Sequence, residues 1–214
     1  MDDDASFARA RLGDFTEALA GADPVPGGGS AAAVAGAVAA ALVQMVARLT
    51  IGREKYAAFE RTALDIDAAA ARARMQLLEL ADLDAAAYRA FVAARRKPRS
   101  TDAEREARRV ATERTAQDAV RVPLRVTRAA AEVTSLAARL AASSNPNASS
   151  DVGAAAHLAA AAARAAALNV RINLPSLGDA DPLRETATAE LDGLLSAVQR
   201  EERAALEQVE MALA

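Results

Sequence analysis

A proline- and glycine-rich turn at residues 24–30 is the first stretch whose composition suggests chemistry. Gly27, Gly28 and Gly29 have no Cβ atoms, so the backbone can approach a ligand closely. Ser30 is predicted to cap the apolar helix that follows. The free N–H groups and positive dipole of that helix would face any ligand above the glycines. The structural alternative is a plain turn into a core helix, and no lysine follows the glycines as a phosphate-binding P-loop requires.

Lysine is rare in this chain, which favours a special use for it. Lys55 and Lys97 are the only lysines among 26 basic residues. Arginine keeps its proton, whereas a desolvated lysine can release one. Lys97 lies in a basic loop and is expected to be solvated, while Lys55 adjoins Tyr56 after the apolar helix. The alternative for Lys55 is a surface position at a helix end.

Two aspartates are placed where a carboxylate could act on a ligand. Asp84 and Tyr88 are four residues apart and would share one helix face. Asp151 falls in the first turn of a predicted helix. A carboxylate is favoured there by the helix dipole whether or not it has a function, so simple capping is the alternative.

All four asparagines cluster in the last third of the chain. Asn145 and Asn147 belong to a polar loop, and Asn169 and Asn173 are one turn apart near the end of the next helix. Amides offer donors and acceptors without charge, which suits a polar heterocycle, although asparagines also cap helix ends. The single histidine, His157, is a packed or surface residue or a catalytic base.

Composition excludes several classes of site. With no cysteine and one histidine, the chain cannot form disulfides, thiolate zinc sites or a multi-histidine metal site. A net charge of −3 argues against general nucleic-acid binding. The acidic start, residues 1–4, fits no signal peptide, and a cytoplasmic protein is expected. Residues 30–47 are uncharged, but their alanine and glycine content favours a buried helix over a membrane span.

Hydrophobic periodicity predicts an all-α protein with one domain over residues 1–214. Pro123 is expected to kink or divide the fourth helix. Helices of 30 to 40 residues exceed the usual globular length, so packing against a second copy, a homodimer, is expected. The predicted helices span 6–21, 30–51, 59–96, 101–142, 151–172 and 182 to the C-terminus.

Two alanine-rich helices, 30–51 and 151–172, are predicted to form the centre of a bundle. Small residues recur at about four-residue spacing on the first of them, which lets another helix approach closely. The longer amphipathic helices would wrap this pair.

Three blocks of sequence together resemble the cyclodeaminase/cyclohydrolase family. This family includes the C-terminal domain of formiminotransferase-cyclodeaminase and stand-alone bacterial methenyltetrahydrofolate cyclohydrolases. The resemblance covers nearly the whole chain. The blocks are residues 26–56, from the glycine turn to Lys55 and Tyr56; residues 84–88; and residues 145–174, with Asn145, Asn147, Ser150, Asp151, Asn169 and Asn173.

The resemblance implies an all-helical homodimer with a folate site near the dimer interface. It implies hydrolysis of 5,10-methenyltetrahydrofolate to 10-formyltetrahydrofolate, or closure of 5-formiminotetrahydrofolate with release of ammonia. Both reactions pass through a tetrahedral carbon between N5 and N10 and require proton transfer. Neither needs a metal or a cofactor beyond the tetrahydrofolate substrate. A stand-alone chain favours the cyclohydrolase.

Site roles follow from the residues and the resemblance together. We expect Lys55 and Asp151 to transfer protons and orient the substrate, supported by Asp84 and Tyr88. The remaining candidates would hold the pterin or the carboxylates of the folate. They are Gly27, Gly28, Gly29, Ser30, Tyr56, Asn147, Ser150, Asn169 and Asn173.

Three positions depart from the family pattern. Glu54 stands where a basic residue is expected, the order of Lys97 and Pro98 is reversed, and His157 replaces an aliphatic residue. No motif core is removed, so an active enzyme is expected. The alternatives are a non-catalytic dimeric helical scaffold and a membrane-associated helical protein.

Overall fold

The computed structural model describes residues 6–214; the acidic start that argued against a signal peptide lies outside them. Six α-helices, joined by short turns and 3-10 helices, account for most of these residues, and no strand occurs in this part of the chain. The all-α prediction is confirmed. The helices are α1 (Leu12–Ala20), α2 (Gly28–Thr50), α3 (Glu60–Arg95), α4 (Asp102–Ala141), α5 (Ser149–Asn173) and α6 (Leu183–Leu213).

The two alanine-rich helices, α2 and α5, pack against each other as predicted. Gly36 of α2 shows how close the packing is. A Cβ atom added there would lie 3.5 Å from the Ala162 Cβ on α5 and 3.2 Å from Leu77 Cδ1 on α3. Small side chains therefore permit the central helices to come together, and the larger Leu77 fills the groove beside them.

The long helix α4 joins the rest of the bundle, because it packs against α3, α5 and α6 as well as α2. Its first turn is a capping box: the Thr101 hydroxyl accepts from the Glu104 N–H at 3.2 Å, and Glu104 Oε2 accepts from the Thr101 N–H at 3.0 Å. Pro123 does not divide the helix, which continues through it. The surrounding buried packing outweighs the single N–H that proline lacks.

Two predicted helix starts are wrong. The chain over 6–21 forms a 3-10 turn and then α1, with extended backbone at Ala10 and Arg11 between them. This break lets the Phe7 N–H donate to Asp82 Oδ1 on α3 at 2.7 Å. Ser30 is not an N-cap, because α2 begins two residues earlier and Gly27 occupies the cap position without a side-chain cap.

Helix α2 is long and apolar enough to cross a membrane by composition alone, as the sequence indicated. In the structure, 61% of its most apolar 18-residue window is buried by the other helices. The core helix of a globular bundle has the same composition, and α2 occupies that position here.

The packing predicts opposite effects for two glycine substitutions. Gly36→Leu should lower the free energy of unfolding by about 1–3 kcal/mol, because the added atoms must displace Leu77 and Ala162. Gly193→Ala on α6 meets nothing within 4 Å. It should raise stability by about 0.5–1 kcal/mol through helix propensity. Urea unfolding of both variants tests this pair, and a neutral Gly36→Leu would contradict the close packing.

Candidate functional site

A cavity of about 270 Å³ opens where the start of α2, the second half of α3 and the end of α5 meet. The turn before α2 closes one side of it. Its walls combine backbone, carboxylate, amide and apolar side-chain surface. The lining residues are Pro24, Val25, Gly27, Gly28, Gly29, Asp84, Ala87, Tyr88, Phe91, Ala119, Asn169, Ile172 and Asn173.

Helix α3 contributes one continuous face to this cavity. Asp84, Ala87, Tyr88 and Phe91 stand at positions i, i+3, i+4 and i+7, which lie on one side of a helix. The face begins with a carboxylate and continues with two aromatic rings. It can contact both the polar edge and the flat surface of a bicyclic ring.

Asp84 is held against the first turn of α2. Ser30, which is buried, places its hydroxyl 2.9 Å from the Ala81 carbonyl oxygen and 3.2 Å from Asp84 Oδ2. The Ser30 backbone N–H also donates to the Asp84 carboxylate. The Asp84 carboxylate of α3 thus accepts hydrogen bonds at the start of α2, a helix terminus that has no cap from a side chain of its own.

Gly29 makes this contact possible. A Cβ atom at Gly29 would overlap the carboxylate group of Asp84. The Asp84 carboxylate of α3 therefore occupies the space that any side chain at position 29 of α2 would need. Gly29, the last glycine of the turn, is required for the position of Asp84, as well as for access to the cavity.

Burial raises the pKa of Asp84 above its ordinary value, and the hydrogen bonds from the Ser30 hydroxyl and N–H oppose that rise. The charged form of a carboxyl group loses hydration when it is buried. A carboxylate with a raised pKa is a stronger base, and it can also carry a proton closer to neutral pH. Asp84 thus has the properties of a group that exchanges protons with a ligand.

Two amides lie across the cavity from α3. Asn173 Nδ2 donates to the Ala119 carbonyl at 2.8 Å, and Asn169 Nδ2 donates to the Ala165 carbonyl at 3.0 Å. Each bond fixes an amide while its Oδ1 acceptor and second N–H remain for a ligand. Asn169 also lies beside Gly28, since a Cβ there would be 3.6 Å from Nδ2.

A second group of predicted residues lies at the opposite ends of α2 and α5. The Tyr56 hydroxyl donates to Asn145 Oδ1 at 3.3 Å, and the Lys55 Nζ stands 5.5 Å from the Tyr56 ring centroid. The Asn147 N–H also donates to Asn145 Oδ1. Asn145 therefore joins the end of the first sequence block to the start of the third.

The structure divides the candidate residues between these two places. Lys55, Asn147 and Ser150 are exposed, and Asp151 is half-buried in the first turn of α5. The 23 residues of α2 separate this second group from the cavity by about 35 Å, at 1.5 Å per residue. The candidate residues that the sequence analysis assigned to one folate site are thus brought together only in part within one chain.

His157 lies apart from the cavity. It is exposed on α5, with Nδ1 3.2 Å from Glu202 Oε1 on α6. This geometry agrees with the surface alternative for the histidine. Within residues 6–214, no group of three or more His, Asp or Glu side chains is placed to hold a metal ion.

Comparison with known proteins identifies the family. The profile of the formiminotransferase-cyclodeaminase family matches residues 11–191. The chain belongs to this family. It is 39% identical over 182 residues to the methenyltetrahydrofolate cyclohydrolase of Methylorubrum extorquens, covering 85% of this chain and 87% of that protein.

Other members of the formiminotransferase-cyclodeaminase family are also similar. The rat formimidoyltransferase-cyclodeaminase is 30% identical over 190 residues, which are 89% of this chain but 35% of that protein. The crystal structure of formiminotetrahydrofolate cyclodeaminase from Thermotoga maritima superposes with a TM-score of 0.87 at 28% identity. That match covers 97% of this chain and 99% of the other.

The cavity of this family member includes residues that the sequence analysis missed. Ala87 and Phe91 could have been found, because they continue the face of Asp84 and Tyr88 at helical spacing. Ile172 could also have been found, since it follows Asn169 by three residues and so shares its helix face; in the structure it is 75% exposed. No sequence pattern indicated Ala119, because it lines the cavity only through the packing of α4 against the other helices.

The overlap between Gly29 and Asp84 predicts a non-additive pair of substitutions. Gly29→Ala should lower the free energy of unfolding by about 1–3 kcal/mol, because the methyl group displaces a held carboxylate. In an Asp84→Ala background, the same change should cost clearly less, because the space is empty. Chemical denaturation of the single and double variants measures the coupling. Additive costs would show that Gly29 and Asp84 do not compete for space.

Proposed function

We propose that this chain hydrolyses 5,10-methenyltetrahydrofolate to 10-formyltetrahydrofolate. The observation that carries the proposal is the half-buried Asp84 carboxylate in a cavity lined by glycines, aromatic rings and amides, in a chain of this family. The relative from Methylorubrum extorquens, similar over most of both chains, is named for this cyclohydrolase activity.

The cavity volume fits the reacting part of a folate. Drug-sized ligands occupy cavities of about 300–1,000 Å³, and this one measures about 270 Å³. We propose that it takes the bicyclic pterin and the bridging carbon, with the Tyr88 and Phe91 rings against the heterocycle. Asn169 and Asn173 would satisfy its polar edge, and the remainder of the folate would extend outwards.

Asp84 would supply the proton transfer. In the hydrolysis, water adds to the cationic carbon between N5 and N10, and the carboxylate takes a proton from that water. The C–N5 bond of the tetrahedral intermediate then breaks, and the proton held by Asp84 passes to N5. The hydroxyl oxygen becomes the formyl carbonyl as its proton returns to the carboxylate, which releases it to solvent. A raised pKa suits both steps, because the group must accept and then release a proton. The N–H groups at the start of α2 would stabilise negative charge on the attacking oxygen.

A cyclodeaminase reaction is the second candidate, favoured by the similarity to the Thermotoga maritima enzyme over nearly the whole of both chains. N10 of 5-formiminotetrahydrofolate would attack the formimino carbon, and the same carboxylate would move the N10 proton towards the departing ammonia. Both candidates use acid–base chemistry on the tetrahydrofolate substrate alone, and a cytoplasmic location is part of this proposal.

We further propose that the protein is a homodimer joined through the outer faces of α2 and α5. Apolar side chains stand exposed along these central helices, including Val38 and Met45 on α2 and Leu158 and Leu168 on α5. On each helix the two residues are separated by seven or ten positions, so they recur on one side. A second copy would cover this face in the way that the remaining helices cover the other sides of the pair.

An antiparallel dimer would also explain the division of the candidate residues. Helix α2 runs from the cavity to the second group, and α5 runs back to the cavity. A two-fold axis that crosses these helices places the cavity of one subunit beside the second group of the other. The partner subunit's Lys55 and Asp151 would then complete the site around Asp84.

Asp84→Asn tests the proton-transfer role. It should lower kcat for methenyltetrahydrofolate hydrolysis by about 10²–10⁴-fold, since the amide cannot accept the proton. Because burial raises the pKa of Asp84, the ionised carboxylate opposes folding at neutral pH, and the melting temperature should stay equal or rise. Glu79→Gln on the exposed side of α3 is the control and should keep full activity.

The assay is run beside ammonia release from 5-formiminotetrahydrofolate. Faster turnover of the formimino compound would replace the cyclohydrolase with the cyclodeaminase. No turnover of either compound, together with no thermal stabilisation by a folate, would contradict both and favour the helical scaffold.

Mixed dimers test the shared site. Lys55→Ala and Asp84→Asn subunits should each be inactive as homodimers. When they are co-expressed and assort at random, half of the dimers should be mixed, each with one intact site, which restores about a quarter of wild-type activity. Failure to recover activity, or a fully active Lys55→Ala enzyme, would contradict the shared site.

A further inference from the structure

The Ser30 side chain lies beside the cavity without lining it. Its neighbours Gly28 and Gly29 line the cavity, as does Asp84, but Ser30 is completely buried behind them, with 0% of its surface exposed. The sequence blocks predict that Ser30 holds part of the folate. A ligand in the cavity cannot touch a side chain that has no exposed surface, so Ser30 can act on that ligand only through another residue.

The Ser30 hydroxyl has one proton and two acceptors within reach. Its oxygen lies 2.9 Å from the Ala81 carbonyl oxygen and 3.2 Å from Asp84 Oδ2, and both acceptors belong to α3. A hydroxyl group has a single O–H to donate, and it rotates to suit its partners. The two contacts are therefore alternatives, and the direction of one O–H bond decides between them.

The Ser30 backbone N–H differs from the hydroxyl, although it also donates to the Asp84 carboxylate. It belongs to the first turn of α2, so its direction is fixed by the helix. A backbone N–H can donate but cannot accept. Asp84 thus has one donor that always points at it and one donor that can turn away.

The charge on Asp84 decides which acceptor is the better one for the hydroxyl. A hydrogen bond to an ionised carboxylate is roughly twice as strong as one between neutral groups. The Ser30 hydroxyl therefore donates to Asp84 while the carboxylate is charged. Once Asp84 is protonated, its oxygens are weaker acceptors, and the nearer Ala81 carbonyl accepts the bond instead. Because Ser30 is buried away from water, Ala81 keeps the hydroxyl from being left unpaired.

We propose that Ser30 is a positioning residue whose hydroxyl turns from Asp84 to the Ala81 carbonyl when Asp84 gains a proton, and turns back when Asp84 loses it. We call this the Ser30 switch. The inference rests on the proposed function, in which Asp84 accepts and releases protons within one turnover. Ser30 keeps its own proton throughout, and only the direction of its O–H bond changes. The switch holds the carboxylate while it is charged and leaves it free of that bond when it carries a proton.

Few other groups complicate the titration of Asp84. Tyr88 is the only other titratable side chain among the described residues that line the cavity, and the lining residues from α2, α4 and α5 are uncharged. Burial raises the pKa of Asp84, and the two hydrogen bonds from Ser30 lower it. A change in this titration in a Ser30 variant therefore reports the hydrogen bond from the hydroxyl.

Backbone NMR of the ligand-free protein observes the switch directly. In the wild type, the carbonyl carbon-13 signal of Ala81 should change with pH at the midpoint of the Asp84 titration, because this carbonyl gains a hydrogen bond as Asp84 gains a proton. The change should be lost in Ser30→Ala, which keeps Asp84 but has no hydroxyl. A signal that stays constant in the wild type, or that changes equally in Ser30→Ala, would overturn the inference.

Enzyme kinetics separate positioning from substrate contact. Ser30→Ala should lower kcat for methenyltetrahydrofolate hydrolysis about tenfold, the effect of losing one hydrogen bond to a charged group. The acidic limb of its pH–rate profile should move to higher pH, because burial is then opposed by one hydrogen bond fewer. KM should stay within about twofold of the wild type. A raised KM with an unmoved profile would show instead that Ser30 contacts the substrate.

Three further variants separate the hydrogen bond from packing. Ser30→Thr keeps the hydroxyl and should restore the wild-type pH profile. Ser30→Cys fills similar space with a weak donor and should behave like Ser30→Ala. Thr134→Val removes another buried hydroxyl, which donates to the Ala130 carbonyl at 3.0 Å, and should leave the profile unmoved. A Ser30→Cys enzyme with the wild-type profile would show that Ser30 acts by packing alone and would contradict the switch.

The NMR measurement distinguishes failure of this inference from failure of the proposed function, since it needs no substrate. If no folate is turned over but the Ala81 signal follows Asp84 as described, the proposed function fails and the Ser30 switch stands. If folate is turned over and the Ala81 signal does not follow Asp84, the switch fails alone.

Discussion

The contact between the Asp84 carboxylate and the first turn of α2 determines the geometry of the site. It joins two helices through residues that are 54 positions apart in sequence, and it needs Gly29 for space and Ser30 for hydrogen bonds. The same contact caps a helix terminus and places a half-buried carboxyl group in the cavity. Structural and chemical roles therefore coincide in one residue, and neither can be changed without affecting the other.

The alanine content of α2 and α5 explains how the contact between Asp84 and α2 is held in place. The central helices α2 and α5 approach closely because their facing side chains are small, and α3 and α4 pack against them with larger residues. Helices that pack through small side chains can be long without large side chains between them. The result is a bundle whose two functional ends are separated by the length of a helix, and which leaves one apolar side of α2 and α5 exposed.

Much of the fold could be predicted from the sequence. The periodicity and alanine content indicated an all-α bundle around the two alanine-rich helices, and the sequence blocks indicated the family; both predictions are confirmed. The start of α2 was predicted two residues late, because serine is the usual cap. The actual acceptor, Asp84, comes from another helix, and no local pattern could reveal it. Pro123 does not divide α4 for a similar reason, since tertiary packing decides whether a helix continues.

Many residues of the site could be predicted from the sequence, but their positions relative to one another could not. Asp84, Tyr88, Asn169 and Asn173 were chosen by type and spacing, and the structure brings them together with the glycine turn. Lys55 and Asp151 were chosen by the same reasoning and lie at the other end of α2. Sequence spacing fixes which residues share a helix face, whereas the separation between helix ends depends on the direction in which each helix runs.

The pKa of Asp84 is the most direct test of this account, since it reports burial and hydrogen bonding at once. A carbon-13 NMR titration of aspartate carboxyl groups, with Asp84→Asn used for assignment, measures it in the free protein. The account predicts a midpoint above the ordinary value of 3.8, a further rise in Ser30→Ala, and a change when a folate is added. A midpoint at or below 3.8 that no folate alters would contradict it.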